Sequence, residues 1–244
     1  MKNKLNRNLI IFIAVLLMVS IVRPLMIGGV RGLIASFMET VYILPAIIIA
    51  ISFHEYAHAK VADYWGDDTP ARQGRLTIDP LAHIDPMGLL ALIFIRFGWG
   101  RPVMINPSKF RNKRAGLITV GLAGVTMNFI LALVFGGIIK LLFTFTPGLF
   151  AGKVGEIAVN LLLQVVYINL ALMLFNLLPV PPLDGFNVIS EIFKLYNTRF
   201  YAFVRTYSLW ILMAMIMLRI PSMLLSGPLS FIADFILSTI YKIY

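Results

Sequence analysis

Residues 54–58 read His-Glu-Tyr-Ala-His, which places three side chains capable of metal chemistry within five residues. On a helix, His54 and His58 project from one face about one turn apart, so both imidazoles can bind a single ion. Glu55 is rotated by about 100° from His54, which lets it activate a water molecule at the metal without being a ligand. The spacing predicts a zinc site in which Glu55 is the general base.

A second interpretation is that these side chains are buried polar groups that hydrogen-bond to neighbouring helices. They follow the apolar run Gly32–Phe53, in which Glu39 is the only charged residue. Titratable groups inside a membrane are costly and rare, and by default they indicate function. The context therefore favours the metal site.

A catalytic zinc ion normally takes a third protein ligand and leaves one coordination position open. The best candidate is Asp184, in the sequence NLLPVPPLDGF at 176–186, where three prolines end an apolar run. Irregular backbone at membrane depth is tolerated where it lines a cavity or is buried in protein, which would let this carboxylate turn inward. The alternative is that Asp184 only caps the N-terminus of a short helix from Phe186 to about Tyr196.

The composition indicates which elements must position these residues. Hydrophobic residues make up 59% of the 244 and charged residues only 13%, against about 25% charged in an average soluble domain. Runs long enough to span a bilayer predict an all-α polytopic membrane protein with five or six transmembrane helices. The runs are Gly32–Phe53, Ala115–Ile139, Ile157–Leu178, Tyr201–Leu218 and Ser222–Ile240, with a shorter one at Leu9–Val22.

The shortest run, Leu9–Val22, follows Lys2, Lys4 and Arg7 and has two interpretations. Its length suits the apolar region of a secretory signal peptide, but no small-x-small cleavage pattern follows it. We interpret it as a retained first helix. The sequence contains no cysteine, so no disulfide can form and the redox compartment stays undetermined.

The net charge of +10 does not require nucleic-acid binding, because the basic residues are distributed by loop. Nine Lys and Arg residues lie between the runs Gly32–Phe53 and Ala115–Ile139, and three precede the run Leu9–Val22. The loops on the opposite side contain few basic residues. This positive-inside pattern predicts that the N-terminus and the 60–114 segment face the cytoplasm. The runs that end near His54–His58 and near Asp184 then reach the same side of the membrane, so these residues can meet.

The chain has no repeat and no Ser/Gly-rich linker, which predicts a single membrane domain over residues 1–244. The segment 66–108 differs in composition, because Gly, Pro, Asp and Arg surround the short extended-looking pieces GRLTI and RPVMIN. This pattern favours a proline-punctuated, re-entrant or β-hairpin-like segment. Within it, Met87–Phe97 is apolar but too short to span a membrane.

Two motifs together resemble the site-2 protease family of intramembrane zinc metalloproteases. The first is HEYAH at the end of an apolar helix, and the second is N-x-x-P-x-P-x-L-D-G at 176–185. The stretches GRLTIDPLAHIDPMG at 74–88 and GWGRPVMINPSKFRN at 98–112 are similar to its short bacterial and archaeal branch without PDZ or CBS domains. The resemblance covers about residues 40–195.

The resemblance implies a single zinc ion held by His54, His58 and Asp184, with Glu55 as the catalytic residue. It implies hydrolysis of peptide bonds in or near the transmembrane segments of membrane-protein substrates, in a multi-pass protein of a prokaryotic cell membrane whose site opens towards the cytoplasm. The partners are then those transmembrane segments and the lipid bilayer, with no nucleic acid. The rival interpretation is a catalytically inactive membrane protein that binds metal or transmembrane helices, such as a pseudoprotease or a transporter.

The sequence departs from this family at one position of the Gly-Pro-x-x-Asn motif expected in the next helix. Here Val125 follows Gly124, while Asn128 is present. The resemblance makes Asn128 and Asn176 candidates for binding substrate or the oxyanion, although Asn128 could equally form a hydrogen bond between helices. His83, in the loop sequence LAHIDP, is not expected to be a zinc ligand, because a fourth protein ligand would close the site. A contact with one of the metal-binding residues, or a role in gating the site, stays open for His83.

Overall fold

Helices form the regular structure of the protein in the computed structural model, which describes residues 2–95, 98–150 and 152–242. The predicted all-α class is confirmed, since those ranges contain no strand. The α-helices found there are numbered in chain order. They are α1 (Lys2–Tyr64), α2 (Thr69–Arg72), α3 (Pro80–His83), α4 (Pro86–Ile95), α5 (Lys113–Phe145), α6 (Lys153–Asn176), α7 (Asp184–Ile192), α8 (Arg199–Thr206), α9 (Ser208–Met217) and α10 (Ile220–Asp234).

Four described stretches are long and apolar enough to cross a membrane: Pro24–Tyr64 within α1, α5, α6, and Ile220–Ile240, which is α10 with the π-helical turn after it. The bent pair α8–α9 makes five if it is counted as one span. The predicted run Leu9–Val22 is also helical but belongs to α1, which is interrupted at Gly29 (φ 59°, ψ −152°). These lengths and hydropathies make the chain an integral, multi-pass membrane protein.

The predicted span Tyr201–Leu218 is not one straight helix. It comprises most of α8 and α9, which meet at Tyr207 with a bend of 65°. At the end of α8, the Thr206 hydroxyl donates to the Ala202 carbonyl at 2.8 Å. Two arginines in α8 are outweighed by the strongly apolar α9, so the average hydropathy of the run does not reveal the break.

The chain divides into two compact units, one containing Met1–Leu44 and Ile84–Arg101, the other Pro45–His83 and Pro102–Tyr244. The single domain expected over 1–244 stays a prediction. In the second unit, α5 packs along α6 and α7, and α10 packs against α6. The larger hydrophobic core of this unit lies between α5, α6 and α10. Among the described residues it contains Val125, Ala132, Ile139, Val166, Leu170, Met173, Ala233, Ile236 and Leu237.

In the first unit, the chain folds back on itself between Ile84 and Gly100, which form an antiparallel bridge. A Cβ at Gly88 would lie 2.0 Å from the Trp99 carbonyl oxygen, so only glycine permits this close approach. The ten-residue helix α4 covers the described part of the predicted apolar segment Met87–Phe97, whose last two residues lie outside the described ranges. At this length α4 cannot span a membrane.

The segment 66–108 was expected to be re-entrant or β-hairpin-like, and its described residues contain short helices. Each of four short helical segments has a proline at its first or second position: Pro70 in α2, Pro80 in α3, Pro86 in α4 and Pro107 in a 3₁₀ turn. Proline favours the first turn of a helix, because its fixed φ suits that position and the N–H it lacks would have no helical partner there. The prolines therefore mark helix starts, and the β pairing found in the described part of this segment is the Ile84–Gly100 bridge.

In the second unit, polar contacts tie the end of α1 to the start of α5. The Trp65 carbonyl accepts a hydrogen bond from the Arg111 N–H at 2.9 Å. The fully buried Asp67 carboxylate accepts one from the Asn106 N–H at 2.5 Å. Asn112 caps α5 by accepting from a backbone N–H of its first turn at 3.1 Å. The part of α1 that carries the HEYAH sequence is thereby held beside α5.

Candidate metal centre

Three side chains meet in the second unit: His54 and His58 of α1 and Asp184 of α7. The two histidine Nε2 atoms lie 3.0 Å apart, and Asp184 Oδ2 lies 3.1 Å from that of His54 and 3.2 Å from that of His58. In a tetrahedral zinc site with bonds of 2.0–2.1 Å, the ligand atoms lie about 3.3–3.4 Å apart. The observed triangle is slightly smaller, so the three atoms are placed to hold one metal ion.

Asp184 reaches the histidines because a short, proline-containing turn joins α6 to α7. α6 ends at Asn176 and α7 begins at Asp184 itself. The capping position is occupied by Leu183, so Asp184 is not the helix cap considered above as the alternative. A Cβ at Gly185 would lie 2.3 Å from the Leu177 carbonyl oxygen. Only glycine therefore lets the start of α7 approach the end of α6 this closely.

The Asp184 carboxylate is in an environment that requires a positive partner. Its Oδ2 atom is buried, and no hydrogen bond of acceptable geometry reaches it. A buried, ionised oxygen is costly without a counter-charge. A metal ion held by Asp184 and the two histidines would supply that charge, so the residues fit a metal.

The second ring nitrogen of each histidine is held by an oxygen of α5. His54 Nδ1 donates to Asn128 Oδ1 at 2.6 Å, and His58 Nδ1 donates to the Val120 carbonyl oxygen at 2.7 Å. A proton on Nδ1 leaves the Nε2 lone pair available, which is the usual arrangement of metal-binding histidines. Two such lone pairs and a carboxylate oxygen then face one another, and such a set of donors suits a cation at their centre.

Two glycines on α5 make room for the site. A Cβ at Gly124 would lie 2.4–2.6 Å from three atoms of the His54 ring, and a Cβ at Gly121 would lie 2.6 Å from a methyl group of Val188 on α7. A larger residue at either position would displace the ring or the helix. Val125, which replaces the proline of the family motif, lies in the hydrophobic core of α5, α6 and α10.

Glu55 is not one of the three side chains that form the metal-binding group found in the described part of the chain. Its Oε2 atom accepts a hydrogen bond from the Val103 N–H at 2.9 Å. Val103 belongs to the irregular piece RPVMIN, so this piece holds the glutamate that the sequence predicts to be the base. Nothing in the sequence indicates the contact, because every residue except proline can donate a backbone N–H.

Asn128 is fully buried, and all the hydrogen-bonding atoms of its side chain are used. Its Oδ1 accepts from His54, and its Nδ2 donates to the Ala50 carbonyl at 3.3 Å and to Asn169 Oδ1 at 2.9 Å. Of the two roles that the sequence leaves open, this geometry favours hydrogen bonds between helices over contact with a substrate. Asn169 is absent from the sequence-based site, although an amide inside an apolar run is a signal for it.

Asn176 and His83 have other partners. Asn176 Nδ2 donates to the Leu172 carbonyl of its own helix at 3.0 Å, so a role for this side chain in binding substrate stays a prediction. His83 is fully buried, and its Nε2 lies 2.7 Å from the Thr77 carbonyl oxygen. It does not belong to the metal-binding group of the described residues.

Fold and site define a class of protein: an integral membrane protein in which two histidines and one aspartate are placed to hold a metal ion between helices. The family model of Peptidase family M50 matches residues 148–219, which include Asp184. The chain is 37% identical over 152 residues to the "Putative zinc metalloprotease YwhC" of Bacillus subtilis (strain 168), an alignment that covers 62% of this chain and 68% of the relative. It is 28% identical over 181 residues to the "Putative zinc metalloprotease Rip2" of Mycobacterium tuberculosis, with 72% and 66% covered.

The chain belongs to Peptidase family M50, the site-2 protease family. The family indicated by the two sequence motifs is thereby confirmed. The chain spans 68% and 66% of the lengths of the two relatives. No solved structure matches it significantly.

Proposed function

We propose that this protein is an intramembrane zinc metalloprotease that hydrolyses peptide bonds in or near the transmembrane segments of membrane-protein substrates. The observation that carries the proposal is the meeting of His54, His58 and Asp184 between α1 and α7 in a membrane protein. Two imidazole nitrogens and one carboxylate oxygen are a ligand set typical of catalytic zinc. The names of the relatives, both zinc metalloproteases, support the same metal. We expect a single zinc ion per chain.

The division of roles that we propose rests on the His-Glu-x-x-His motif. Zinc held by the three ligands would polarise the scissile carbonyl and lower the pKa of water there towards about 7. Glu55 accepts the proton of the attacking water and later passes it to the leaving amine. The Val103 N–H, 2.9 Å from Glu55 Oε2, donates a hydrogen bond that helps to orient the carboxylate. His54, His58 and Asp184 would bind the zinc ion and transfer no proton.

The proposed substrates are transmembrane helices, whose peptide bonds are occupied by internal hydrogen bonds. Such a helix must unwind locally before water can attack. A substrate with Gly, Asn or Pro near the scissile bond should therefore be cut faster than a Leu-rich version, because these residues favour the helix less. Equal rates for the two substrates would contradict a rate that depends on unwinding.

We also propose that the N-terminus and the 60–114 segment face the cytoplasm of a prokaryotic cell, so that the site opens to that side. The distribution of basic residues supports this orientation. Because the chain contains no cysteine, single cysteines introduced at Lys109 and Lys153 can be labelled selectively. We expect labelling from opposite sides of the membrane, and labelling of both from one side would contradict the orientation.

The variant Glu55→Gln tests whether the site catalyses or only binds. It should keep zinc and fold and lose cleavage by about 10²–10⁴-fold, because a general base contributes by that factor. His54→Ala should lose zinc and cleavage together. The measurement is cleavage of a single-pass membrane substrate, with metal analysis of each purified variant. Cleavage by Glu55→Gln at the wild-type rate would exclude this mechanism and favour the catalytically inactive, metal- or helix-binding alternative.

A further inference from the structure

A row of polar side chains connects the His54 ring to α6 through the interior of the second unit. His54 Nδ1 lies 2.6 Å from Asn128 Oδ1, and Asn128 Nδ2 lies 2.9 Å from Asn169 Oδ1. Asn169 Nδ2 lies 2.8 Å from the Val165 carbonyl oxygen. Both asparagines are 0% exposed, so no bulk water competes for these bonds. We term the two asparagine side chains and the Val165 carbonyl the asparagine relay.

The Val165 carbonyl fixes the direction of every hydrogen bond in the asparagine relay. A backbone carbonyl can only accept, so the Asn169 NH₂ group must face it and the Asn169 oxygen must face Asn128. Asn128 therefore presents its own NH₂ group to Asn169 and its oxygen to His54. That oxygen requires the imidazole proton on Nδ1, and the Nε2 lone pair is left for the metal. The Ala50 carbonyl supports the same orientation by accepting from Asn128 Nδ2 at 3.3 Å.

We propose that Asn128 and Asn169 are positioning residues that hold His54 in its metal-binding tautomer. Asn169 belongs to neither the metal-binding group nor its direct hydrogen-bond partners, yet it contributes to zinc affinity through Asn128. This inference rests on the proposed zinc site. Loss of a partner that orients a metal-binding histidine typically costs about 10- to 100-fold in metal affinity or activity. In a fully buried relay, water does not replace the missing partner, so the loss is transmitted to the ring.

Zinc affinity, measured in detergent by competition with a chromogenic chelator, tests the asparagine relay separately from activity. Asn128→Leu should weaken zinc binding about 10- to 100-fold, because the His54 ring loses its acceptor. Asn169→Leu should weaken it less, by roughly 3- to 10-fold, because Asn128 keeps its bond to Ala50. Asn160→Leu is the matched control, since Asn160 lies on the same helix but is exposed. Its zinc affinity should equal that of the wild type.

Asn128→Asp separates the orientation of His54 from a general role in packing. The carboxylate still accepts the hydrogen bond from His54, so zinc affinity should recover to within about 3-fold of the wild type. If Asn128 acted only through packing, zinc affinity should not recover, because this substitution buries a charge and removes two donated hydrogen bonds. Recovery of zinc affinity therefore supports the relay, and a loss as large as that of Asn128→Leu contradicts it. Circular dichroism and size-exclusion chromatography establish that each variant is folded.

Wild-type zinc affinity in both Asn128→Leu and Asn169→Leu would overturn the proposal. If these zinc-binding variants also lost cleavage, Asn128 would belong with the substrate contacts instead. Absence of zinc from the wild-type protein would contradict the proposed function rather than the relay alone. The two kinds of failure are thus distinguishable.

Discussion

The two histidines of the metal centre have the same chemistry but are supported in different ways. His58 is held by the Val120 carbonyl of α5, at 2.7 Å. His54 is held by the side chain of Asn128, whose orientation depends on Asn169 of α6. A backbone acceptor is present whichever residue occupies the position, whereas a side-chain acceptor exists only while the residue is unchanged. Two equal ligands therefore differ in their sensitivity to mutation.

Removal of either imidazole should have the largest effect on zinc content and cleavage, because it removes a direct metal ligand together with its hydrogen bond to α5. His54→Ala and His58→Ala should both contain almost no zinc and show no cleavage. Elemental analysis of the purified variants, beside a wild type with about one zinc per chain, provides the measurement. If His58→Ala retained the wild-type zinc content, His58 would not be a ligand and the comparison of the two supports would lose its basis.

Gly124→Ala should have the next largest effect, and it acts only on His54. Its Cβ would lie 2.4 Å from the His54 Cε1 atom, so the ring must move away from Asn128 and zinc affinity should fall roughly 10- to 100-fold. Helix propensity alone predicts a gain in the free energy of unfolding, because Ala stabilises a helix by about 1 kcal/mol over Gly. A more stable variant with unchanged zinc affinity would mean that the ring has free space at this position.

Val120→Ala is the matched substitution on the His58 side. It removes a buried side chain but keeps the carbonyl that accepts from His58. We expect a loss of roughly 1–3 kcal/mol in the free energy of unfolding, with the zinc affinity unchanged. Chelator competition and thermal unfolding of the two variants measure both quantities. Loss of zinc affinity in Val120→Ala would show that the Val120 side chain also supports the ligand.

Val103→Pro extends the comparison to Glu55, which also depends on a backbone group. Proline removes the N–H that donates to the Glu55 carboxylate. We expect kcat to fall by up to about 100-fold, because a small displacement of a catalytic group has an effect of this size. Zinc content and KM should stay close to the wild type. Val103→Ala keeps the N–H and serves as the control, and an equal loss of kcat in that variant would assign the effect to the side chain.

The three residues of the proposed metal site could be selected from the sequence because each lies in a local pattern. His54 and His58 share a helix face through their spacing, and Asp184 follows a run of prolines that ends an apolar segment. Hydropathy also predicted most spans, since a transmembrane helix must be apolar over its whole length. The bend at Tyr207 was not predicted, because an average hydropathy over the run does not reveal where a helix is interrupted.

The segment 66–108 shows how one residue type can support two interpretations. Proline interrupts strands and turns, but it also favours the first turn of a helix. Pro80 and Pro86 start helices in this protein, and the sequence pattern alone could not distinguish this from a hairpin. The choice depends on contacts made by the rest of the segment, such as the Ile84–Gly100 bridge.

By itself, the sequence determined that the chain is an integral membrane protein with an HEYAH metal motif, because apolar length and helical spacing are properties of neighbouring residues. Only the tertiary structure decided how the ligands are supported. The distance of 2.9 Å between Asn128 and Asn169 joins residues 41 positions apart, and the Val103 N–H joins Glu55 across 48 positions. Such contacts depend on how helices and loops pack in three dimensions, and a backbone N–H or carbonyl has no signature in the sequence.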